Sequence, residues 1–255
     1  MLVPDLDIGR RFVDSNCPPG RTLLCGVTGA HHYGFPSPDS DLDLKGIFLA
    51  PTRSLLGLET VKETIDKLQI FEDVECDMTL HEAHKALKLL IGGNGNMLER
   101  ILSPYQLYAT DDQKELASLA KGALSKRFFG HYRGYFNGMC REAESQQEPT
   151  AKKMLYSYRV ALTGIHLLTA GELEGNIDRT AKAYGFASVL ELVAFKRENT
   201  EKSALPPALF DKHKARWGEL ETMLHVARDK SELPDTPGNI SEISDWLRTQ
   251  RLQEL

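Results

Sequence analysis

The segment Asp41–Leu49, DLDLKGIFL, constrains this chain more than any other stretch. Leu42 and Leu44 alternate with Asp41 and Asp43 before the run turns apolar at Ile47, Phe48 and Leu49. Successive side chains of a strand point to opposite faces, so the run reads as a strand that buries its leucines and sets both aspartates on the other face. The turn-rich SPDSD stretch leads into it and Pro51 ends it. Two like charges on one face of a strand raise each other's pKa, so something of opposite charge is expected to hold them.

Two more stretches read as strands: the short apolar run Thr22–Val27, and Glu72–Leu80. In the second, Val74, Cys76, Met78 and Leu80 share one face and Glu75, Asp77 and Thr79 the other. If it pairs alongside 42–49, Asp77, or Glu75 two residues earlier, joins Asp41 and Asp43. Three convergent carboxylates are hard oxygen ligands suited to Mg²⁺, which commonly binds one or two carboxylates together with substrate phosphates. Two such ions about 3.5–4 Å apart can activate an attacking oxygen and steady a leaving pyrophosphate. Upstream, the glycine turn at Thr28-Gly29-Ala30-His31 follows a strand and lets backbone N–H groups approach a phosphate. Gly34, Pro36 and Pro38 then return the chain to the acidic strand.

A helix is expected over 82–91, a loop over Gly92–Asn96 (GGNGN), and helix again from Met97. Beyond about residue 112 the pattern is helical. Met154, Leu155, Tyr158, Leu162, Ile165 and Leu168 recur at helical spacing, with Lys152, Tyr156, Arg159, Thr163 and His166 on the opposite face. Later helices are expected over 188–199, 207–230 and 240–250. Between Ser118 and Arg141 there are five basic residues and no acid, interleaved with Phe128, Phe129, Tyr132, Tyr135 and Phe136. Such texture suits single-stranded nucleic acid through Lys126, Arg127 and Arg133. An amphipathic helix with aromatic core positions explains it equally well.

The fold class expected is α+β: a small mixed sheet with helices over 1–110, then a mainly helical region over 111–255 that contributes to nucleotide and acceptor binding. At 255 residues the chain accommodates one large domain or two modest ones. A net charge of −5 does not mark a nucleic-acid binder, so any phosphate-binding surface is a local patch. Four scattered cysteines without a CxxC pair argue against a zinc cluster or a disulfide framework, and His81 and His84 lack a third ligand. No run approaches the roughly 18 apolar residues of a membrane helix, and the N-terminus lacks a secretory apolar core. A reducing, cytoplasmic compartment is the expectation.

Together, the glycine turn, the short return, Asp41-Leu42-Asp43-Leu44 and Asp77 on a later strand resemble the polymerase-β-like nucleotidyltransferase superfamily. The runs YGFPSPDSDLDLKG, NGNMLERILSP, HYRGYF and KKMLYSYRVALTGIHLL are similar more specifically to bacterial and phage nucleotidyltransferases of the RNA-repair-pathway polymerase-β type, over about residues 22–170. The resemblance implies metal-dependent transfer of an NMP from an NTP to a hydroxyl, the acceptor being an RNA 3′ end, with tRNA one candidate. Asp41, Asp43 and Asp77 would be the catalytic residues and hold Mg²⁺ or Mn²⁺. The backbone of Thr28, Gly29, Ala30 and His31 would cradle the phosphates, and Lys152 and Arg159 would neutralise them. The superfamily's turn normally reads Gly-Ser, and here it reads Gly29-Ala30, which removes a hydroxyl that Thr28 or the backbone alone would replace. Transfer to a protein or small molecule, and a non-catalytic nucleotide or RNA sensor, are the competing readings.

Overall fold

A computed structural model describes residues 3–37, 40–58, 60–199 and 203–255. Pro38 and Asp39 of the turn before the acidic strand lie outside them. In chain order the first half holds α1 (Leu6–Ser15), β1 (Arg21–Val27), α2 (Gly29–Tyr33), β2 (Leu42–Leu49), α3 (Thr52–Leu56), β3 (Thr64–Phe71), β4 (Val74–Glu82), α4 (Ala83–Ile91), α5 (Gly95–Leu102) and α6 (Asp111–Gly122). The rest is helical: α7 (Phe128–Ser145), α8 (Ala151–Ala170), α9 (Ile177–Ala183), α10 (Leu190–Glu198), α11 (Pro207–Lys214), α12 (Trp217–Lys230) and α13 (Ile240–Leu252). This is the expected α+β class.

The chain forms two compact units. The sheet unit comprises Val3–His32, Asp41–Leu124 and Thr236–Leu255, and the helical unit comprises Tyr33–Ser40 and Ser125–Asp235. Both are therefore discontinuous in sequence.

In the sheet unit the strand order is β1-β2-β4-β3, with β1/β2 and β3/β4 antiparallel and β2/β4 parallel. The alternation in β2 and β4 sends Leu42, Leu44, Cys76, Met78 and Leu80 into one core, where they pack with Phe12 and Val13 of α1. Leu24 and Ile47, on the opposite face by register, are also buried. On that face Lys85 of α4 donates to Thr64 Oγ1 at 2.6 Å, and Arg100 of α5 donates to the Gly46 carbonyl at 2.9 Å. One end of this second face is therefore covered by helices. The end carrying Asp43 and Asp77 is partly open.

The expected strand over 72–80 runs over Val74–Glu82 and begins after a hairpin turn. Glu72 and Asp73 have φ of 49° and 64°, the positive pair of the two-residue type I′ turn that matches strand twist. β3, the other arm of that hairpin, has no counterpart in the sequence reading. Its residues 66–70 are exposed on both faces, so no burial alternation marks it. Glu82 caps α4, accepting from the His84 N–H at 2.8 Å, and the helix follows as expected. The 207–230 stretch is two helices, α11 and α12, separated by a turn at Ala215–Arg216.

The last helix belongs to the sheet unit. Arg251 of α13 pairs with the nearly buried Glu82 at 2.5 Å and donates to the Ala50 carbonyl at 2.8 Å, while the Thr52 hydroxyl donates to the Arg251 carbonyl.

In the helical unit, α8 forms the core with α7, α9, α10 and α12 packed against it. Tyr132 of α7 and Leu224 of α12 close on Gly164 of α8, where an added Cβ would lie 2.6 Å from the Tyr132 side chain.

Candidate active site

The decisive contact is one of register. Asp43 of β2 is the direct partner of Asp77 of β4 across the parallel ladder, and paired residues share a face. The repulsion this implies is answered from the same strand. Lys45 lies two residues beyond Asp43, hence on its face, and its ammonium sits 2.8 Å from Asp77 Oδ2 and 3.9 Å from Asp43 Oδ1. It also donates to Thr79 Oγ1 and the Asp77 carbonyl, each at 3.3 Å. Asp41 precedes β2 by one residue and is half-buried. Glu75 lies on the same face of β4, one step from Asp77, and is exposed.

The glycine turn is docked on this carboxylate pair. The Thr28 N–H donates to the Asp43 carbonyl at 2.8 Å. Gly29 adopts φ +63°, and a Cβ added there would lie 1.7 Å from Asp43 Oδ2. The position therefore disfavours any side chain, first by its left-handed backbone and then by the carboxylate against it. The strand end before the turn is held by the Ser103 hydroxyl, which donates to the Val27 carbonyl at 2.6 Å, and by the Val27 N–H bond to the Tyr105 carbonyl. Thr28, Ala30 and His32 are buried, and His31 is half-buried. Thus Thr28, Gly29, Ala30, His31, Asp41, Asp43 and Asp77 all belong to the sheet unit.

Among the described residues, no three His, Cys, Asp or Glu side chains stand close enough to hold a metal ion by themselves. The in-register pair with a cation already between its carboxylates is nevertheless a fitting donor set for a hard divalent ion. Mg²⁺ characteristically takes one or two carboxylates and completes its shell with water and phosphate oxygens rather than a closed protein cage.

Lys152 and Arg159 lie in the helical unit, on α8. Lys152 is half-buried in the first turn. Arg159 is only 1% exposed, and its guanidinium stacks 3.7 Å from the Tyr33 ring centroid, with Tyr156 and Tyr135 at 5.3 and 5.6 Å. This aromatic cage holds the charge by cation–π attraction in the interior.

The basic and aromatic stretch resolves by helical position. Phe128, Tyr132 and Phe136 recur every four residues along α7 and are buried, so their rings belong to the core. Phe129 packs edge-on to His225, beneath the Arg228 guanidinium. Arg127 and Arg133 are exposed, and half-buried Lys126 pairs with Asp235 at 3.4 Å.

Sequence reasoning missed Lys45. Its signal is the third charge of the D-x-D-x-K alternation, which period two places beside both aspartates.

Residues 11–249 match the model of the RNA repair pathway DNA polymerase beta family, a wider span than the 22–170 of the motif resemblance. The chain is 25% identical over 223 residues to the uncharacterized protein MJ0002 of Methanocaldococcus jannaschii, covering 85% of this chain and 88% of that one. A crystal structure of a nucleotidyltransferase-like protein from Exiguobacterium sibiricum 255-15 aligns over 98% of this chain and 76% of its own, at 10% identity and a TM-score of 0.35, a likeness too slight to bear on the fold. The family match takes in the glycine turn, both strands of the carboxylate pair and both segments of the helical unit, and the chain belongs to the RNA repair pathway DNA polymerase beta family as a polymerase-β-like nucleotidyltransferase.

Proposed function

We propose that the protein transfers an NMP from an NTP to the 3′ hydroxyl of an RNA, releasing pyrophosphate, with Mg²⁺ or Mn²⁺ as cofactor. The observation that carries this reading is the Asp43–Asp77 register with the Gly29 turn seated against Asp43. It sets a phosphate-approachable backbone beside a carboxylate pair that already holds a cation.

In the reaction the acceptor oxygen forms a bond to the α-phosphorus as the bond from that phosphorus to the bridging oxygen breaks. Pyrophosphate leaves with that electron pair. Asp77 hydrogen-bonds the attacking hydroxyl and takes up its proton. The backbone of Gly29, Ala30 and His31 donates to the triphosphate oxygens, the Thr28 N–H being given to the Asp43 carbonyl, and the missing side chain at Gly29 keeps that approach open. Asp43 and Asp77 would hold the divalent ion together with phosphate oxygens, and Asp41, two residues before Asp43, is the third carboxylate of the set. When bound, the ion supplies charge neutralisation for the triphosphate and lowers the pKa of the attacking hydroxyl. Lys45 keeps the two carboxylates together on their strands.

The RNA acceptor is supported by the family's description and by the exposed arginines at 127 and 133, which with Lys126 offer phosphate contacts on the helical unit. The reading has the protein drawing on the cytoplasmic NTP pool. A second reading, a nucleotide sensor without turnover, is favoured by Ala30 in place of the superfamily's serine.

The test is label transfer from each α-labelled NTP to a small-RNA pool with Mg²⁺ or Mn²⁺, with Asp43→Asn as control. RNA labelling that disappears in the variant is the expected result. Label on protein instead refutes the RNA acceptor, and NTP binding without any transfer establishes the sensor.

A further inference from the structure

The row of side chains that includes Asp43 and Asp77 continues onto β3. Leu68 is the direct antiparallel partner of Asp77, and Ile70 that of Glu75, so both share the carboxylate face. Leu68 is 66% exposed and Ile70 70%. Their neighbours along the strand behave differently: Ile65 and Phe71, on the other face, pack against the core. An exposed apolar pair on the edge strand of a sheet is an aggregation liability unless something covers it.

Position says what that occupant is. Neighbouring strands lie about 4.8 Å apart, and with Asp43 and Lys45 filling the other side of Asp77, a group that brings a hydroxyl to it from the sheet edge lies over Leu68. The charges around this shelf are acidic. Asp66 flanks Leu68 on β3, and Glu75 faces Ile70. The lysines on this face are committed, Lys45 to the carboxylates and Lys85 to Thr64, and Lys67 belongs to the other face of β3. A phosphate laid here would meet like charge, whereas an uncharged planar group would be desolvated against two aliphatic side chains at no electrostatic cost.

We propose that Leu68 and Ile70 seat the base and ribose of the acceptor's terminal nucleotide, with its 3′ hydroxyl at Asp77 and its phosphodiester chain leading away from Asp66 and Glu75. The proposal rests on the RNA-acceptor reading above and adds the residues that receive the acceptor end. Contact through apolar area rather than hydrogen bonds makes the shelf tolerant of base identity, with purines held better than pyrimidines because they bury more area.

The test titrates an oligoribonucleotide ending in 3′-terminal 2-aminopurine into the protein without NTP. The wild type is expected to change the probe's fluorescence and to bind at least about tenfold more tightly than Leu68→Ser/Ile70→Ser, a difference of ~1.4 kcal/mol. An oligonucleotide with an abasic 3′ end is expected to bind both proteins equally weakly. Leu68→Met/Ile70→Met keeps the apolar surface and retains binding, and an unchanged thermal midpoint checks that each variant folds. Equal binding by the wild type and the serine variant, or indifference of the wild type to the terminal base, overturns the proposal. So does a tyrosine-containing peptide that binds in place of the oligonucleotide and is lost with the same substitutions, which would make the acceptor a protein. The two readings fail separately. Probe binding on the shelf with no label transferred to RNA sinks the transferase and keeps the shelf, while transfer with an unchanged acceptor KM in the serine variant does the reverse.

Discussion

Gly29→Ala isolates the contact between the glycine turn and the carboxylate pair. Alanine at φ +63° pays the left-handed backbone cost of ~1–2 kcal/mol. Its Cβ would also lie 1.7 Å from Asp43 Oδ2, so the carboxylate must retreat by about 2 Å to reach an ordinary contact near 3.5 Å. That retreat forces Asp43 off its rotamer, at ~0.5–1.5 kcal/mol, and moves it away from Lys45 and its place beside Asp77. Unfolding in urea should therefore show a loss of ~2–3 kcal/mol in the wild-type background. With Asp43→Ala the carboxylate is gone and only the Cβ of residue 43, 3.0 Å from the added one, remains, so adding Gly29→Ala should cost little more than the backbone portion, ~1–2 kcal/mol. A displacement of this size in a catalytic group should lower label transfer by at least about 100-fold. Equal destabilisation in both backgrounds, together with transfer within twofold of wild type, would refute the reasoning.

Lys45→Met leaves Asp43 and Asp77 facing each other across the ladder. It should cost ~1 kcal/mol, because both carboxylates are partly solvated, and Asp77→Asn in the same chain should recover most of that loss, as read from urea midpoints. His81 predicts an acid sensitivity. Burial first, then Arg100 and Lys85, lower its pKa to about 4 against Asp66, which raises it. The unfolded chain therefore takes up a proton near pH 6.5 that the folded chain refuses until about pH 4. Stability should be unaffected above pH 6.5 and fall by up to ~2–3 kcal/mol between there and pH 4, and His81→Gln should lack that part of the decline in urea titrations at pH 7 and 4.5. Arg251→Ala strips the partner from the nearly buried Glu82 and should cost ~3 kcal/mol. Adding Glu82→Gln should regain a measurable part of that loss in thermal or urea unfolding.

Local pattern by itself determined β2, β4 and the faces of their residues. Leu42 and Leu44 must go inward, which puts Asp41 and Asp43 on the other side, and Val74–Leu80 repeats the logic for Asp77. The helix of 151–170 was equally legible from the spacing of Met154, Leu155, Tyr158, Leu162, Ile165 and Leu168, but its burial on all sides, Arg159 and Thr163 of the opposite face included, was decided by the helices packed around it. Tertiary structure alone decided that Asp43 meets Asp77, since the register of a parallel pair is set by everything between the strands and not by either strand. It also decided that Gly29 abuts Asp43, and that Lys45 lies between the two acids. β3 was invisible because residues 66–70 of this edge strand are exposed on both faces and only its ends touch the core, which leaves no periodic signal, although its exposed Leu68 completes the row. Conversely, Phe128, Tyr132 and Phe136 carried the texture of a binding surface in the sequence and were placed in the interior by packing. The C-terminal helix joins the sheet unit through Arg251 and Glu82, 169 residues apart along the chain. A pairing that distant leaves no local trace, because its energy is realised only when the intervening chain has folded.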